Sequence, residues 1–251
     1  MSFRDHNNLT FHIQELGEGP PVVMLHGLFG GSMASWYFTS APTIARTHRV
    51  LLYDLRGHGK SARSRTGYDV ATMVSDLESI AAEFSTRPIS LVGHSYGAIV
   101  SLEFALRNPS RVHKLVIVEG PLPPSQVKEF DAFRSLSLSE KAASLPKAVR
   151  EAFRREGRQA ERFAESMRFF LRESSLFDDL RAASDIADER LATLHCPTLC
   201  IYGSNSSCLP AGERIARAVP RAELVVLAGG HFLQVDAGEP LTASITEFLN
   251  G

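Results

Sequence analysis

Ile89-Ser90-Leu91-Val92-Gly93-His94-Ser95-Tyr96-Gly97, continued by Ala98-Ile99-Val100-Ser101-Leu102-Glu103-Phe104, is the stretch that decides the fold. A short apolar run ends in a glycine, a serine stands two residues on, and a second glycine opens a helix-compatible run. This is G-x-S-x-G between a strand and a helix. The serine in such a pattern sits on a sharp, strained turn that pushes its hydroxyl out over the sheet edge. Glycines flank it because a side chain at either place would crowd the neighbouring backbone. Ser95 is therefore the candidate nucleophile.

Upstream, the apolar run Val22 to Leu25 leads into His26-Gly27-Leu28-Phe29-Gly30-Gly31. A glycine-rich turn at a strand end can present backbone N–H groups to a developing negative charge. The amides of Leu28 and Tyr96 are the expected oxyanion donors, with Phe29 the alternative to Leu28. Downstream, Leu224 to Leu227 leads through Ala228-Gly229-Gly230 to His231, then to a closing helix from about Pro240. That placement makes His231 the candidate general base: a loop histidine past a strand's carboxyl end can reach a serine hydroxyl on the same edge. Of the nine histidines, His6, His12, His48, His113 and His195 read as surface or core-edge residues. None forms an H-E-x-x-H pair. His26 and His94 flank the site as structural residues.

Around these motifs, apolar runs alternate with segments of helical period. The strand candidates are Leu9 to Glu15 after an Asn7-Asn8 turn, Val22 to Leu25, Val50 to Tyr53, Ile89 to Val92, Leu115 to Val118, Thr198 to Tyr202 and Leu224 to Leu227. Val70, Met73, Val74, Leu77, Ile80, Ala81 and Phe84 mark one face of a helix between two of them. The expected class is α/β, a doubly wound and mostly parallel sheet. From about Pro121 to Arg190 no strand-like run occurs, and Phe130, Phe133, Phe153, Phe163, Phe169, Phe170 and Phe177 punctuate charged text. Residues 121–190 are expected to form a helical cap inserted in one domain made of residues 1–120 and 191–251. Most of those aromatics are expected to pack against the sheet.

Composition excludes several classes. The 251 residues are 44% hydrophobic and 22% charged, enough apolar material for a core and too little charge for a disordered chain. Lys plus Arg is 27 and Asp plus Glu is 28, a net charge of −1, so there is no electrostatic footprint for nucleic acid or an anionic membrane. No apolar stretch is long enough to span a bilayer, and the N-terminus lacks a secretory core. Three cysteines, Cys196, Cys200 and Cys208, are too few for a disulfide framework or a zinc tetrad. The expectation is a reduced, cytoplasmic setting with no metal and no cofactor. Gly59-Lys60-Ser61 imitates the tail of a phosphate-binding loop, but Asp54 stands where that motif needs its first glycine. Asn8-Leu9-Thr10 and Asn205-Ser206-Ser207 match a glycosylation pattern that has no meaning without secretion.

The order of Gly93-His94-Ser95-Tyr96-Gly97, His26-Gly27, Asp54-Leu55-Arg56-Gly57-His58-Gly59-Lys60-Ser61 and Gly230-His231 resembles the α/β-hydrolase fold family over nearly the whole chain. In that family pattern Asp54 and Arg56 are structural. The usual family acid lies after the penultimate strand, yet here Gly203-Ser204-Asn205-Ser206-Ser207-Cys208-Leu209-Pro210 carries no carboxylate. Some branches, haloalkane dehalogenases and certain small bacterial esterases among them, take the acid from the strand after the nucleophile helix. The resemblance then points to Glu119, at the end of Leu115 to Val118. Ser206 resembles the serine that such esterases pair with a strand-end acid, and is expected to have an auxiliary role. A serine nucleophile argues against halide release.

Together these expectations describe an enzyme that hydrolyses carboxylic esters through an acyl-enzyme intermediate. Its partner would be a small ester or acyl substrate with an apolar acyl or aryl group. Thioester hydrolysis, carbon–carbon cleavage and a low-turnover ligand binder share the same residues and stay open. A homodimer is compatible with the sequence, which leaves oligomeric state undecided.

Overall fold

The computed structural model describes residues 2–28, 31–122, 135–137, 140 and 157–251. Eight strands form one sheet: β1 (Ser2–His6), β2 (Leu9–Leu16), β3 (Pro21–Leu25), β4 (Arg49–Tyr53), β5 (Ile89–His94), β6 (Val112–Val118), β7 (Thr198–Gly203) and β8 (Ala222–Leu227). Their spatial order is β1-β2-β4-β3-β5-β6-β7-β8. β1 and β2 are antiparallel, as are β2 and β4; every pair from β4 to β8 is parallel.

Parallel strands need crossovers, and here helices supply them on both faces. α1 (Ala34–Tyr37), α2 (Ala41–Ile44), α3 (Val70–Phe84) and α4 (Tyr96–Arg107) precede β6. α5 (Gly157–Arg172), α6 (Leu176–Ala182) and α7 (Asp188–Leu191) lie between β6 and β7, followed by α8 (Leu209–Ala218), α9 (Leu233–Asp236) and α10 (Gly238–Asn250). Strand side chains alternate between the two cores. Val23, Leu25, Leu91, Leu115, Ile117 and Tyr202 pack with α3 and α4, while Val22, Met24, Val92, Val116, Val118 and Ile201 pack with Trp36, Ile44 and Leu241. Each fully buried aliphatic side chain contributes roughly 1.5–3 kcal/mol of transfer free energy. Continuous apolar runs are what a sheet covered on both faces requires.

β1 is a strand that apolar runs do not reveal. Asn7 and Asn8 take φ of 49° and 61°, the left-handed pair of a two-residue hairpin turn, which asparagine tolerates. Ser2–His6 hangs on β2 by backbone bonds at the sheet edge, with Phe3 largely exposed. Asp69 caps α3, its carboxylate accepting the Thr72 amide at 2.9 Å. Within the inserted region the described residues form helices α5 to α7. Phe169, Phe170 and Phe177 are buried in the core shared with α3 and α4, as packing demands. Phe130, Phe133, Phe153 and the Pro123-Pro124 segment lie outside the described residues, so the 121–190 boundaries of the insertion rest on the sequence.

Candidate active site

The site is assembled at the carboxyl ends of β3, β5, β6 and β8. Ser95 stands between β5 and α4 at φ 55°, ψ −121°, a strained left-handed conformation for a residue with a Cβ. Its neighbours explain how the strain is held. A Cβ on Gly93 would lie 2.4 Å from the Gly97 carbonyl oxygen, and one on Gly97 would lie 2.5 Å from that of His26. The Ser95 amide donates to the Val118 carbonyl at 2.9 Å, so the parallel ladder runs one residue beyond β5 before the chain turns.

His231 follows β8 through Gly229 and Gly230. Its Nε2 lies 3.0 Å from Ser95 Oγ and its Nδ1 lies 3.2 Å from Glu119 Oε2. Glu119 follows β6 directly and has no exposed surface, while about a third of the His231 side chain reaches solvent. A carboxylate only accepts, so Nδ1 carries the proton and Nε2 turns its lone pair to the Ser95 hydroxyl. Glu119 in turn accepts the Gly203 amide on Oε1 and the Ser206 hydroxyl on Oε2. The Ser206 hydroxyl thus meets the carboxylate and not the imidazole. The Gly203 amide, which sequence reasoning missed, is a second donor to the acid; a backbone donor leaves no mark in residue type.

Two further imidazoles hold the frame. His94 Nε2–H donates to the His231 carbonyl at 2.9 Å, and burial, reinforced by the neighbouring His231, pushes its pKa down to about 3. His26 Nε2 accepts the Leu55 amide at 3.0 Å, so its Nδ1–H donates to the Gly27 carbonyl at 2.6 Å. Burial lowers the His26 pKa against the opposing pull of Asp54. Both rings bond backbone groups beside the serine. Asp54 accepts the Met33 amide at 2.8 Å, the Lys60 amide at 2.9 Å and His12 Nδ1–H at 2.8 Å. It clasps the Gly59-Lys60-Ser61 turn against the segment that follows the glycine loop. Arg56 grips Asp76 through Nε at 2.7 Å and Nη2 at 2.8 Å, both side chains being buried.

The loop of His26, Gly27 and Leu28 runs against the serine: a Cβ on Gly27 would meet Ser95 Cβ at 2.9 Å. Tyr96 opens α4, so its N–H has no carbonyl one turn earlier in the helix. The alternative donor, Phe29, lies outside the described residues. Cys208 Sγ approaches His231 Nδ1 to 3.7 Å, and Glu119, Cys208 and His231 are a trio whose donor atoms lie within 4.8 Å of one another. None of the three cysteines is in a disulfide. Among the described residues no helix is long and apolar enough to cross a membrane.

A doubly wound sheet with a strained serine between β5 and its helix, facing a histidine after β8, defines a class, and comparison with known proteins agrees. Residues 20–154 match the alpha/beta hydrolase fold family, and the chain belongs to it. It is 30% identical to a putative carbamate hydrolase of Variovorax paradoxus (strain S110), over 96% of each chain. It is 29% identical to the dihydrolipoyllysine-residue acetyltransferase component of the acetoin cleaving system of Pseudomonas putida, covering 92% of this chain and 64% of that longer one. A solved hydrolase from Pseudomonas aeruginosa PA01 superposes with a TM-score of 0.80 at 27% identity, covering 100% of this chain and 98% of that one.

Proposed function

We propose that the chain is a carboxylic ester hydrolase working through an acyl-enzyme. The observation that carries this is the position of His231, with Ser95 Oγ 3.0 Å from one ring nitrogen and a buried carboxylate 3.2 Å from the other. Ser95 attacks the acyl carbonyl as its proton passes to His231 Nε2. Glu119 holds the ring and balances the imidazolium charge, and the amides of Leu28 and Tyr96 take the oxyanion. The proton then goes to the leaving alcohol. Water, deprotonated by the same nitrogen, releases the acid and restores Ser95. Ser206 is a positioning residue that acts through Glu119.

The substrate in this reading is an ester with an uncharged, apolar acyl or aryl group of small to medium size. His26 and His94, close to the serine, are held neutral by burial and offer no cation to a charged acyl group. A cytoplasmic setting belongs to the same reading.

The test is hydrolysis of nitrophenyl esters from acetate to decanoate by wild type and Ser95→Ala, beside matched acyl-thioesters and a coloured dienoic diketone. Ester turnover abolished by Ser95→Ala supports the proposal. A large preference for thioesters, bleaching of the diketone, or binding without turnover in folded protein replaces it with the corresponding alternative.

A further inference from the structure

The cluster of Glu119, Cys208 and His231 sets a carboxylate, a thiol and an imidazole around one point. We infer that this trio is an inhibitory site for a borderline-soft divalent cation, zinc above all. This deepens the proposed hydrolase reading by giving the same centre a regulatory ligand.

The donor set suits such an ion. Zinc takes thiolate sulfur at about 2.3 Å, imidazole nitrogen at about 2.0–2.1 Å and carboxylate oxygen at about 2.0–2.2 Å in a tetrahedron. Those bond lengths place sulfur and nitrogen about 3.6 Å apart, and nitrogen and oxygen about 3.4 Å apart. The separations here are 3.7 Å from Cys208 Sγ to His231 Nδ1 and 3.2 Å from His231 Nδ1 to Glu119 Oε2. These two separations need change by only a few tenths of an ångström, and the third, between Cys208 Sγ and the Glu119 carboxylate, lies within 4.8 Å. His231 is the partly exposed member, so the ion arrives from its side, and a water completes the fourth position. Sulfur, nitrogen and oxygen together favour zinc or cadmium over magnesium or calcium, which want oxygen alone.

Binding would stop catalysis by moving one proton. In the working state Nδ1 carries the hydrogen and Nε2 is the base. A cation on Nδ1 takes that lone pair, so the hydrogen of the neutral ring resides on Nε2, where it faces Ser95 and blocks proton transfer. The Cys208 thiol becomes thiolate and gives its proton to solvent, so one proton leaves per ion bound. Cys200 does not compete: burial pushes its thiol up to about 12.

Cadmium is the direct probe, since a cadmium–thiolate bond has its own ultraviolet absorption; zinc with a nitrophenyl ester is the functional one. Wild type should develop the cadmium band, lose ester turnover as zinc is added and recover it with a chelator. Cys208→Ser should lose the band and need at least about tenfold more zinc for the same fractional inhibition of its own turnover. Cys208→Ala is the second version should the serine variant not fold, and Cys196→Ser should behave as wild type. A band that persists in folded Cys208→Ser or His231→Ala, or equal zinc inhibition of wild type and Cys208→Ser, overturns the inference. If wild type hydrolyses no ester, the hydrolase reading fails separately, and the band with its loss in Cys208→Ser and His231→Ala still decides the cation site.

Discussion

Ser95 and Glu119 leave adjacent strands at nearly the same positive φ, 55° and 54°, and each still donates its amide to the next strand before turning away. Ser95 N–H pairs with Val118 and Glu119 N–H with Ile201, so two successive steps of the parallel ladder deliver a hydroxyl and a carboxylate to one histidine. Such a backbone angle costs about 1–3 kcal/mol at each residue, held by the surrounding ladder.

Replacing Glu119 by glutamine keeps the volume but removes the charge and lets Nδ1 lose its acceptor. The expected result is a fall in kcat of roughly 10³–10⁴ with KM little changed and the circular dichroism spectrum retained. A loss below tenfold would remove Glu119 from the catalytic unit.

Ser206→Ala deletes one hydroxyl donor to the same carboxylate and leaves the Gly203 amide in place. A hydrogen bond to a charged group is worth about 1.5–3 kcal/mol, and water replaces part of it. The kcat should fall about tenfold, between wild type and Glu119→Gln, and Ser206→Thr should restore most of it. Silence in Ser206→Ala would make the hydroxyl a turn feature only.

Arg56 and Asp76 form a buried bidentate pair that is not part of the Ser95, His231 and Glu119 cluster. Arg56→Ala leaves the Asp76 charge buried without its partner, and should cost about 3–5 kcal/mol in urea unfolding. Protein that remains folded should keep its ester kcat.

Stability should decline with acid before the carboxylates titrate. His58 is pushed to about 3 by burial and then by His26, and His94 to about 3 by burial and then by His231, from an ordinary 6.5. Their folded pKa values lie below the unfolded ones, so the unfolded chain binds more protons between about pH 6.5 and 3. The stability due to keeping them neutral is full above 6.5 and is lost as pH falls through that window. Each contributes a slope of up to about 1.4 kcal/mol per pH unit. Urea unfolding at pH 7, 6 and 5 measures it, and His58→Phe should flatten the curve.

The parts legible in the sequence are those in which residue type and function coincide. Buried parallel strands need unbroken apolar runs, so β3 through β7 stand out in the text. The elbow needs its glycines, so Ser95 does too. Glu119 stands out because the loop after β7 carries no carboxylate and the branches the chain resembles take theirs from the strand after the nucleophile helix. β1 escaped because an edge strand needs backbone partners more than apolar side chains. Ser206 was recognised, but whether its hydroxyl meets the acid or the base depends on a loop path that composition does not encode. Cys208 and His231 are 23 residues apart in the chain and meet only because α8 and the β8 loop are brought together.

A carboxylate just after β6, within reach of His231, changes what a search for proteins built the same way should look for. After β7 the chain gives that carboxylate the Gly203 amide and the Ser206 hydroxyl, and residues 203–210 carry no carboxylate of their own. A screen that requires aspartate there would pass over this chain, although its histidine has a carboxylate 3.2 Å away. Scoring the residue that ends the strand after the nucleophile helix would recover it, together with any homologues built the same way.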